Sequence, residues 1–454
     1  MRNFIKTGKI EEERERWVAA LDDDEILRLA SSVRGRDKCI IFQPRKRGSY
    51  NICFFVEFDS PPERWVVRIP IPMCIIPKDM LDEKTEVELA TMRYVSPKTT
   101  LPIPKVHAYA FSDTGLNGLP YIIMDYVDGR SLKDLDYGTG PTWGYLVVGD
   151  ADTPASKHLH QQLADVYVQL RQLQFPKIGA LGLPSHNTPA LSCDPEEIRV
   201  SNRPLSIDVV LQEIDGLEPG LSFPPRKPVN TAKEFAAGLL SLAANKLEKE
   251  ADQTLDEKKP GSVLYAAHHF ERFVRQEWLD HTADEGPFVL THGDMEHFAG
   301  NILFDKDYNL VGIVDWEWSR VVPAQFMVPP LWLAGSQLDI VLMVQASYNK
   351  IVGYLRAAVQ ERERAVGLPP ILSTEPHTAV VIGLNYPDLA FDDEDEGVFE
   401  REAAPRIREF LEASEERQAF LELKIKEQFE FFEEERQHWG NKTARSMIAT
   451  RSFI

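Results

Sequence analysis

Cysteine is scarce in this sequence. The four present, Cys39, Cys53, Cys74 and Cys193, lack the paired spacing of metal ligands, so neither a zinc site nor a disulfide framework is indicated and a reducing compartment fits. Long apolar runs are missing too: no stretch of about eighteen apolar residues occurs, and the opening MRNFIKTGKIEEERERW has no apolar signal-peptide core. A soluble, cytoplasmic protein with no membrane partner is expected. Positive charge is in deficit, with 51 Lys and Arg against 71 Asp and Glu, a formal net charge of −20. That balance disfavours nucleic acid and anionic membranes as partners and would favour a cationic small molecule. Internal repeats are also absent.

What is present is a soluble globular composition, 43% hydrophobic and 27% charged, on a chain of 454 residues. A chain this long exceeds the usual size of one core, so two lobes with a cleft between them are expected. From Cys39 to Val127 the pattern is of short strands, CIIFQ, NICFFVEF, WVVRIPI and PYIIMDYV, with a helix around Glu83–Val95. RKRGS reads as a hairpin turn between the first two strands, and DSPPE separates the next pair. Beyond Gly129 long amphipathic helices take over, as in HLHQQLADVYVQLRQLQF and AKEFAAGLLSLAANKLEKEA, interrupted by one short β island made of PFVLTHGD, NILFD and LVGIVDW. The expectation is an α+β, bilobal chain: a helical extension over 1–38, an antiparallel sheet lobe over 39–128, a helical lobe over 129–390 and a charged helical tail over 391–454. Asp136–Ala155 reads as a surface excursion, and the acidic run Asp392–Glu396 as part of a solvated face.

The chemistry concentrates in THGDMEHFAGNILFD followed by LVGIVDWEW. These supply an Asp on a loop, an Asn opening a strand and a second Asp closing the next strand, the three residue types phosphoryl transfer requires. One carboxylate orients the hydroxyl of the acceptor, while an amide oxygen and another carboxylate hold the Mg²⁺ that neutralises the phosphates. A two-metal phosphatase reading fails on the number and spacing of ligands.

In these residues the sequence resembles the aminoglycoside-phosphotransferase and choline-kinase superfamily, fungal-type members included. That resemblance implies a protein-kinase-like fold and transfer of the γ-phosphoryl group of ATP or GTP to a hydroxyl of a small-molecule acceptor. It assigns Asp294 as catalytic base, His292 as the residue shaping its loop, and Asn301 and Asp315 as Mg²⁺ ligands. Gly293 stands where protein kinases carry the arginine that pairs with a phosphorylated activation loop, so control of that kind is not expected. Less specific marks place Arg68 in WVVRIP at the phosphate-binding position and Glu88 in EVELATMRYV as its partner. The backbone of Asp125, Tyr126 and Val127 would bond the nucleotide base, and Arg47–Tyr50, with Ser49 at its tip, would cover the phosphates.

Two departures from the family pattern stand out. Arg68 replaces the usual lysine, bringing a broader, forked cation. The spacing from Asp294 to Asn301 is two residues longer than the family's; the extra residues are expected to bulge outward, the alternative being that Glu296 or His297 approaches the metal. These departures motivate a second reading, a pseudokinase that binds nucleotide or a protein partner without catalysis. Trp316 and Trp318 read as core packing. The sequence identifies neither the acceptor nor any protein partner.

Overall fold

The computed structural model describes residues 4–72, 78–132, 134–135, 153–185, 188–250, 260–295, 299–329, 345–372, 380–381, 384 and 404–439. Cys74, the 136–152 part of the expected excursion and the 392–396 acidic run lie outside them, as do Glu296 and His297.

Two helices, α1 (Phe4–Ala19) and α2 (Asp23–Val33), precede the first sheet. Asp22 caps α2 by accepting from the Asp24 amide, and Ile26 and Ala30 bury its apolar stripe. The sheet is five-stranded and antiparallel, in the order β1 (Cys39–Arg47), β2 (Asn51–Asp59), β3 (Pro62–Pro70), β5 (Tyr121–Asp125), β4 (Val106–Ala110). The central strands are rich in β-branched and aromatic residues, with Ile52, Phe54, Val56, Val67 and Ile69 almost fully buried. Alternation places Arg68 on the face opposite Val67 and Ile69, and the register sets it across from Cys53 and Ile122. Strand β4 was not among the sequence-read strands, because VHAYA is short, only partly buried and follows a proline-interrupted stretch.

Helix α3 (Lys78–Val95) joins this sheet to the rest of the chain. Leu81, Val87, Leu89, Ala90, Met92 and Val95 are buried, but so are Glu83, Lys84, Thr85, Glu86, Glu88 and Thr91, so the helix meets protein all round. Its buried polar groups bond to the second lobe. Glu83 receives both Nε (3.1 Å) and Nη2 (2.8 Å) of Arg203, and Glu86 Oε1 accepts from the Leu183 amide at 3.1 Å.

The second lobe is mainly helical. Helix α4 (Pro154–Gln172) starts on a Thr153 cap with proline in its first turn and lies along helix Gln345–Ala365, where Arg171 pairs with buried Glu363. The expected β island resolves into two sheets rather than one. Strand β9 (Phe288–Thr291) pairs with β6 (Gln174–Phe175) and β12 (Arg320–Val322), while β10 (Ile302–Phe304) pairs with β11 (Leu310–Ile313); apart from the island, β7 (Ala180–Gly182) pairs with β8 (Arg199–Asn202). Helices α5 (Ile207–Asp215), α6 (Ala232–Lys249) and α7 (Pro260–Phe273) complete the lobe. The two helices Ala404–Glu412 and Glu415–Trp439 pack on α7, and Lys424 of the last one donates to the Glu248 and Glu250 carbonyls at the end of α6. Among the described residues no helix is long and apolar enough to cross a membrane.

The Glu83–Arg203 pair crosses between lobes and is nearly sealed from solvent. Removing one member of a buried pair strands the other charge, at a cost of about 3–5 kcal/mol. Arg203→Met is therefore expected to lower the unfolding free energy by that much, and adding Glu83→Gln to recover most of the loss; chemical unfolding of the two variants checks it.

Candidate active site

The loop after β9 is fixed from both sides. Thr291 pairs with Arg320 of β12, and His292, fully buried, packs its ring 4.6 Å from that of Trp316 and hydrogen-bonds through Nε2 with the Val314 carbonyl at 2.9 Å. Gly293 follows in the left-handed region at φ +83°, and a Cβ there would lie 1.9 Å from the Trp318 carbonyl oxygen. Only glycine fits such a turn. The chain then presents Asp294, whose carboxylate accepts from Asn301 Nδ2 at 2.7 Å.

Asn301 closes a 3-10 turn, Ala299–Asn301, immediately before β10, and its backbone carbonyl accepts from the Val314 amide at 3.0 Å. The same residue thus holds Asp294 with its side chain and, with its main chain, the residue that precedes Asp315. Among the described residues Asn301 Oδ1 has no hydrogen-bond partner. Asp315 lies in the left-handed region (φ 67°, ψ 54°) and opens the turn Trp316–Trp318. Trp316 and Trp318 are buried, Trp316 Nε1 donating to the Ile313 carbonyl at 2.9 Å, so both are core as expected.

On the sheet side Arg68 lies 7% exposed between carboxylates. Its guanidinium donates through one nitrogen to Glu88 and through another to Asp315, and the second also lies 3.4 Å from Glu317 Oε2. Two further residues enter this cluster that sequence reading passed over. Lys84, one helical turn before Glu88 on α3, is 1% exposed, with Nζ 3.2 Å from Glu317 Oε2 and within 5 Å of the ring centres of Tyr50 and Trp318. Asn51 donates to Glu317 Oε1 at 3.0 Å. Glu317, beside Asp315 in the same turn, is 2% exposed and joins Arg68, Lys84 and Asn51. No motif signals Lys84; its i,i+4 spacing to Glu88 was the one available hint.

The cluster has two cations for three carboxylates. Burial opposes the charge on Arg68, but Asp315, Glu88 and Glu317 more than offset it and carry its pKa well above the arginine range. For Glu88 burial dominates: despite the pull of Arg68, desolvation pushes its carboxyl up to about 8, with Glu317 and Asp315 adding to the rise. Burial likewise lifts the Cys53 thiol to about 11, against the pull of Arg68.

The edge of the sheet lobe holds the remaining sequence-read positions. The Asp125 amide donates to the Lys105 carbonyl and the Tyr126 amide to the Arg64 carbonyl, both at 2.9 Å. Val127 N–H has no acceptor among the described residues, while its carbonyl takes the Gly129 amide. The Asp125 carboxylate is held at 2.6 Å by His107 Nε2. Ser49 sits in the exposed turn between β1 and β2.

Sheet lobe and loop thus converge through the contacts Arg68 makes with Glu88 and Asp315, and through the Asn301 link between Asp294 and the strand leading to Asp315. With this arrangement in place, residues 42–326, more than half of the chain, match the model of the phosphotransferase enzyme family. The chain belongs to that family. Among curated proteins the chain is 29% identical over 102 residues to altered inheritance of mitochondria protein 9, mitochondrial, of Scheffersomyces stipitis, covering 22% of this chain and 15% of the relative. It is 26% identical over 146 residues to a subtelomeric hrmA-associated cluster protein of Aspergillus fumigatus, covering 32% and 25%. The matched stretches therefore span a quarter or less of these relatives. Among solved structures, a thermostable aminoglycoside phosphotransferase APH(4)-Ia in ternary complex with AMP-PNP and hygromycin B matches over 89% of this chain and 98% of its own, at 11% identity and a TM-score of 0.43. Plasmodium vivax ethanolamine kinase matches over 83% of each chain at 11% identity and a TM-score of 0.30.

Two outcomes follow from the geometry. Gly293→Ala is expected to destabilise the protein by more than about 3 kcal/mol, combining a left-handed backbone with a backbone clash; denaturant unfolding measures it. The second concerns pH. Glu88 binds its proton more tightly folded (about 8) than unfolded (about 4.3), so its contribution to stability is complete below the unfolded value and is lost as pH rises through 8. The melting temperature of Glu88→Gln, whose side chain stays neutral, should therefore gain on that of the wild type from pH 5 to pH 9.

Proposed function

We propose that the protein transfers the γ-phosphoryl group of ATP or GTP to a hydroxyl of a small molecule, with Asp294 as catalytic base. The observation that carries this reading is the Asp294–Asn301 hydrogen bond beside an Asn301 Oδ1 left without a partner among the described residues. One atom of the amide orients the base while the other remains a hard oxygen donor.

That donor set suits Mg²⁺. Among the described residues no three His, Cys, Asp or Glu side chains form a metal cage. Magnesium at such sites uses one or two carboxylates together with substrate phosphates and water, so Asn301 Oδ1 and the Asp315 carboxylate suffice. When bound, the ion supplies charge neutralisation at the phosphate oxygens. The protein's own part is alignment. Asp294 accepts a hydrogen bond from the acceptor hydroxyl and takes its proton as the oxygen attacks, Asn301 Nδ2 holding the carboxylate in position. Arg68, which bonds Glu88 and Asp315, supplies positive charge for the phosphates.

His292, through its bond to the Val314 carbonyl, keeps the loop against the strand that leads to Asp315. At the hinge, the Val127 N–H, without an acceptor among the described residues, favours that residue as base donor, since the Asp125 and Tyr126 amides already bond carbonyls. Ser49 would lie over the phosphates. The acidic chain, at a formal net charge of −20, favours a cationic acceptor. The domain limits at 39–128 and 129–390 fit this division of labour, nucleotide on the sheet side and acceptor on the helical side.

A pseudokinase reading draws on Arg68 and on the longer Asp294–Asn301 loop, and the intact Asp294–Asn301 hydrogen bond favours catalysis over it. Asp294→Ala is expected to reduce nucleotide consumption, screened across amine-bearing alcohols and sugars, by about 10³-fold or more while leaving the Mg-nucleotide shift in melting temperature nearly unchanged. Turnover equal to wild type would remove Asp294 from the chemistry.

A further inference from the structure

We infer that Arg14 of helix α1 is a positioning residue that aims the Ser49 turn at the nucleotide phosphates. This rests on the proposed nucleotide site and goes beyond it, because α1 lies before the family-matched region, which begins at residue 42.

The contacts are specific. Arg14 Nη2 donates to the carbonyl oxygens of both Gly48 (3.3 Å) and Ser49, while Nη1 donates to Glu11 at 2.9 Å, which anchors the guanidinium to its own helix. Arg47, at the end of β1, is held by the same helix, Nη1 lying 2.6 Å from Glu11 and 2.8 Å from Glu15. Helix α1 thus grips the hairpin through two arginines and two glutamates. From the sequence this stretch is expected only as part of a helical extension over 1–38.

Peptide planarity turns this grip into orientation. In a trans peptide the carbonyl of one residue and the N–H of the next point in opposite directions. Holding the Gly48 oxygen against α1 therefore aims the Ser49 N–H away from it, and holding the Ser49 oxygen does the same for the Tyr50 N–H. Among the described residues neither the Ser49 N–H nor its hydroxyl has a partner. Immediately beyond, the Tyr50 ring packs on Trp318 and Asn51 bonds Glu317, so the turn leads straight into the buried charge cluster. A backbone N–H turned outward from a fixed turn is a donor an anion can meet, here that of Ser49. Phosphate-covering loops are usually rich in glycine, yet here the turn is RGSY; an external clamp supplies the fixed backbone direction.

With Arg47 neutralised by Glu11 and Glu15, the phosphates would be met by main-chain and hydroxyl donors of Ser49. The selectivity is then for the phosphate chain and not for the base or ribose.

The test compares the full-length wild type with Arg14→Ala, Arg14→Lys and the double variant Glu11→Gln/Glu15→Gln, titrated with Mg-ATP, Mg-GTP, adenosine and guanosine by calorimetry. Melting temperatures of the ligand-free proteins report folding. The expected result is about tenfold weaker binding of the triphosphate by Arg14→Ala, the size of one or two lost charge-assisted hydrogen bonds. Nucleoside binding should be unchanged and Arg14→Lys should recover most of the loss, since an ammonium can also donate to two carbonyls. The double variant, which loosens the anchor while keeping Arg14, should fall between, and it carries the test with Arg14→Lys should Arg14→Ala fail to fold. Triphosphate binding by Arg14→Ala equal to wild type, or an equal loss for nucleosides, would overturn the inference while leaving the nucleotide site standing. Failure of the wild type to bind either triphosphate would overturn both.

Discussion

Everything in the site is arranged around one desolvated charge cluster, Arg68 and Lys84 against Glu88, Asp315 and Glu317. Each member comes from a segment that would otherwise be free to move: Arg68 from β3, Lys84 and Glu88 from α3, Asp315 and Glu317 from the turn after β11. Buried ion clusters contribute little net stability over apolar packing, because desolvation consumes most of the Coulombic gain. They do penalise every arrangement that leaves a charge unpaired. A shift of α3 along its axis would strand Lys84 and Glu88 together, and a slip of β3 by one residue would turn Arg68 to the other face of the sheet. The cluster therefore fixes register between lobes more than it adds stability. Asp315 is the one member with substantial exposure, and it is there that a divalent cation is proposed to sit.

Around this cluster the apolar frame has a narrower task. The β9 to β12 pairing, the His292 bond to the Val314 carbonyl and the close approach of Gly293 to Trp318 pin the loop bearing Asp294 against the strand bearing Asp315. Trp316 and Trp318 flank Glu317 and are both buried, so the turn that carries two of the three carboxylates cannot rotate without opening the core. A carboxylate held by backbone geometry and packing incurs its ordering cost at folding and not at each encounter with substrate.

Much of this was legible in the sequence. Strand alternation marked β1, β2, β3 and β5, and the order of HGD, NILFD and IVDWEW located the loop, the amide and the second aspartate. Strand β4 escaped because VHAYA has too little apolar contrast. Lys84 escaped for a different reason: in KDMLDEKTEVELA charged residues occupy every face of the helix, and nothing in one dimension separates the solvated ones from those that meet protein; Glu317, beside Asp315 in the DWEW turn, gives equally little sign of its burial. Burial of charge is decided by what arrives from elsewhere in the chain, here Asn51 and Trp318. The same holds for Arg14, whose partners Gly48 and Ser49 are backbone carbonyls and carry no side-chain signature at all.

The arginine at position 68 finds its physical reason in the same geometry. A lysine ammonium is a point donor; a guanidinium offers a planar fork that can meet two carboxylates from different directions. Arg68 donates to Glu88 and Asp315 at once, so one side chain spans the distance from α3 to the turn after β11. Lys84 adds the compact cation, pressed between Tyr50 and Trp318 against Glu317. Reaching is divided from anchoring between the two, and the positive charge at this point of the cleft is kept. The substitution that looked like a defect when only position 68 was considered reads, with Lys84 in view, as one half of a two-cation solution. If the proposed phosphoryl transfer is what the site performs, it would have no need of a lysine at 68.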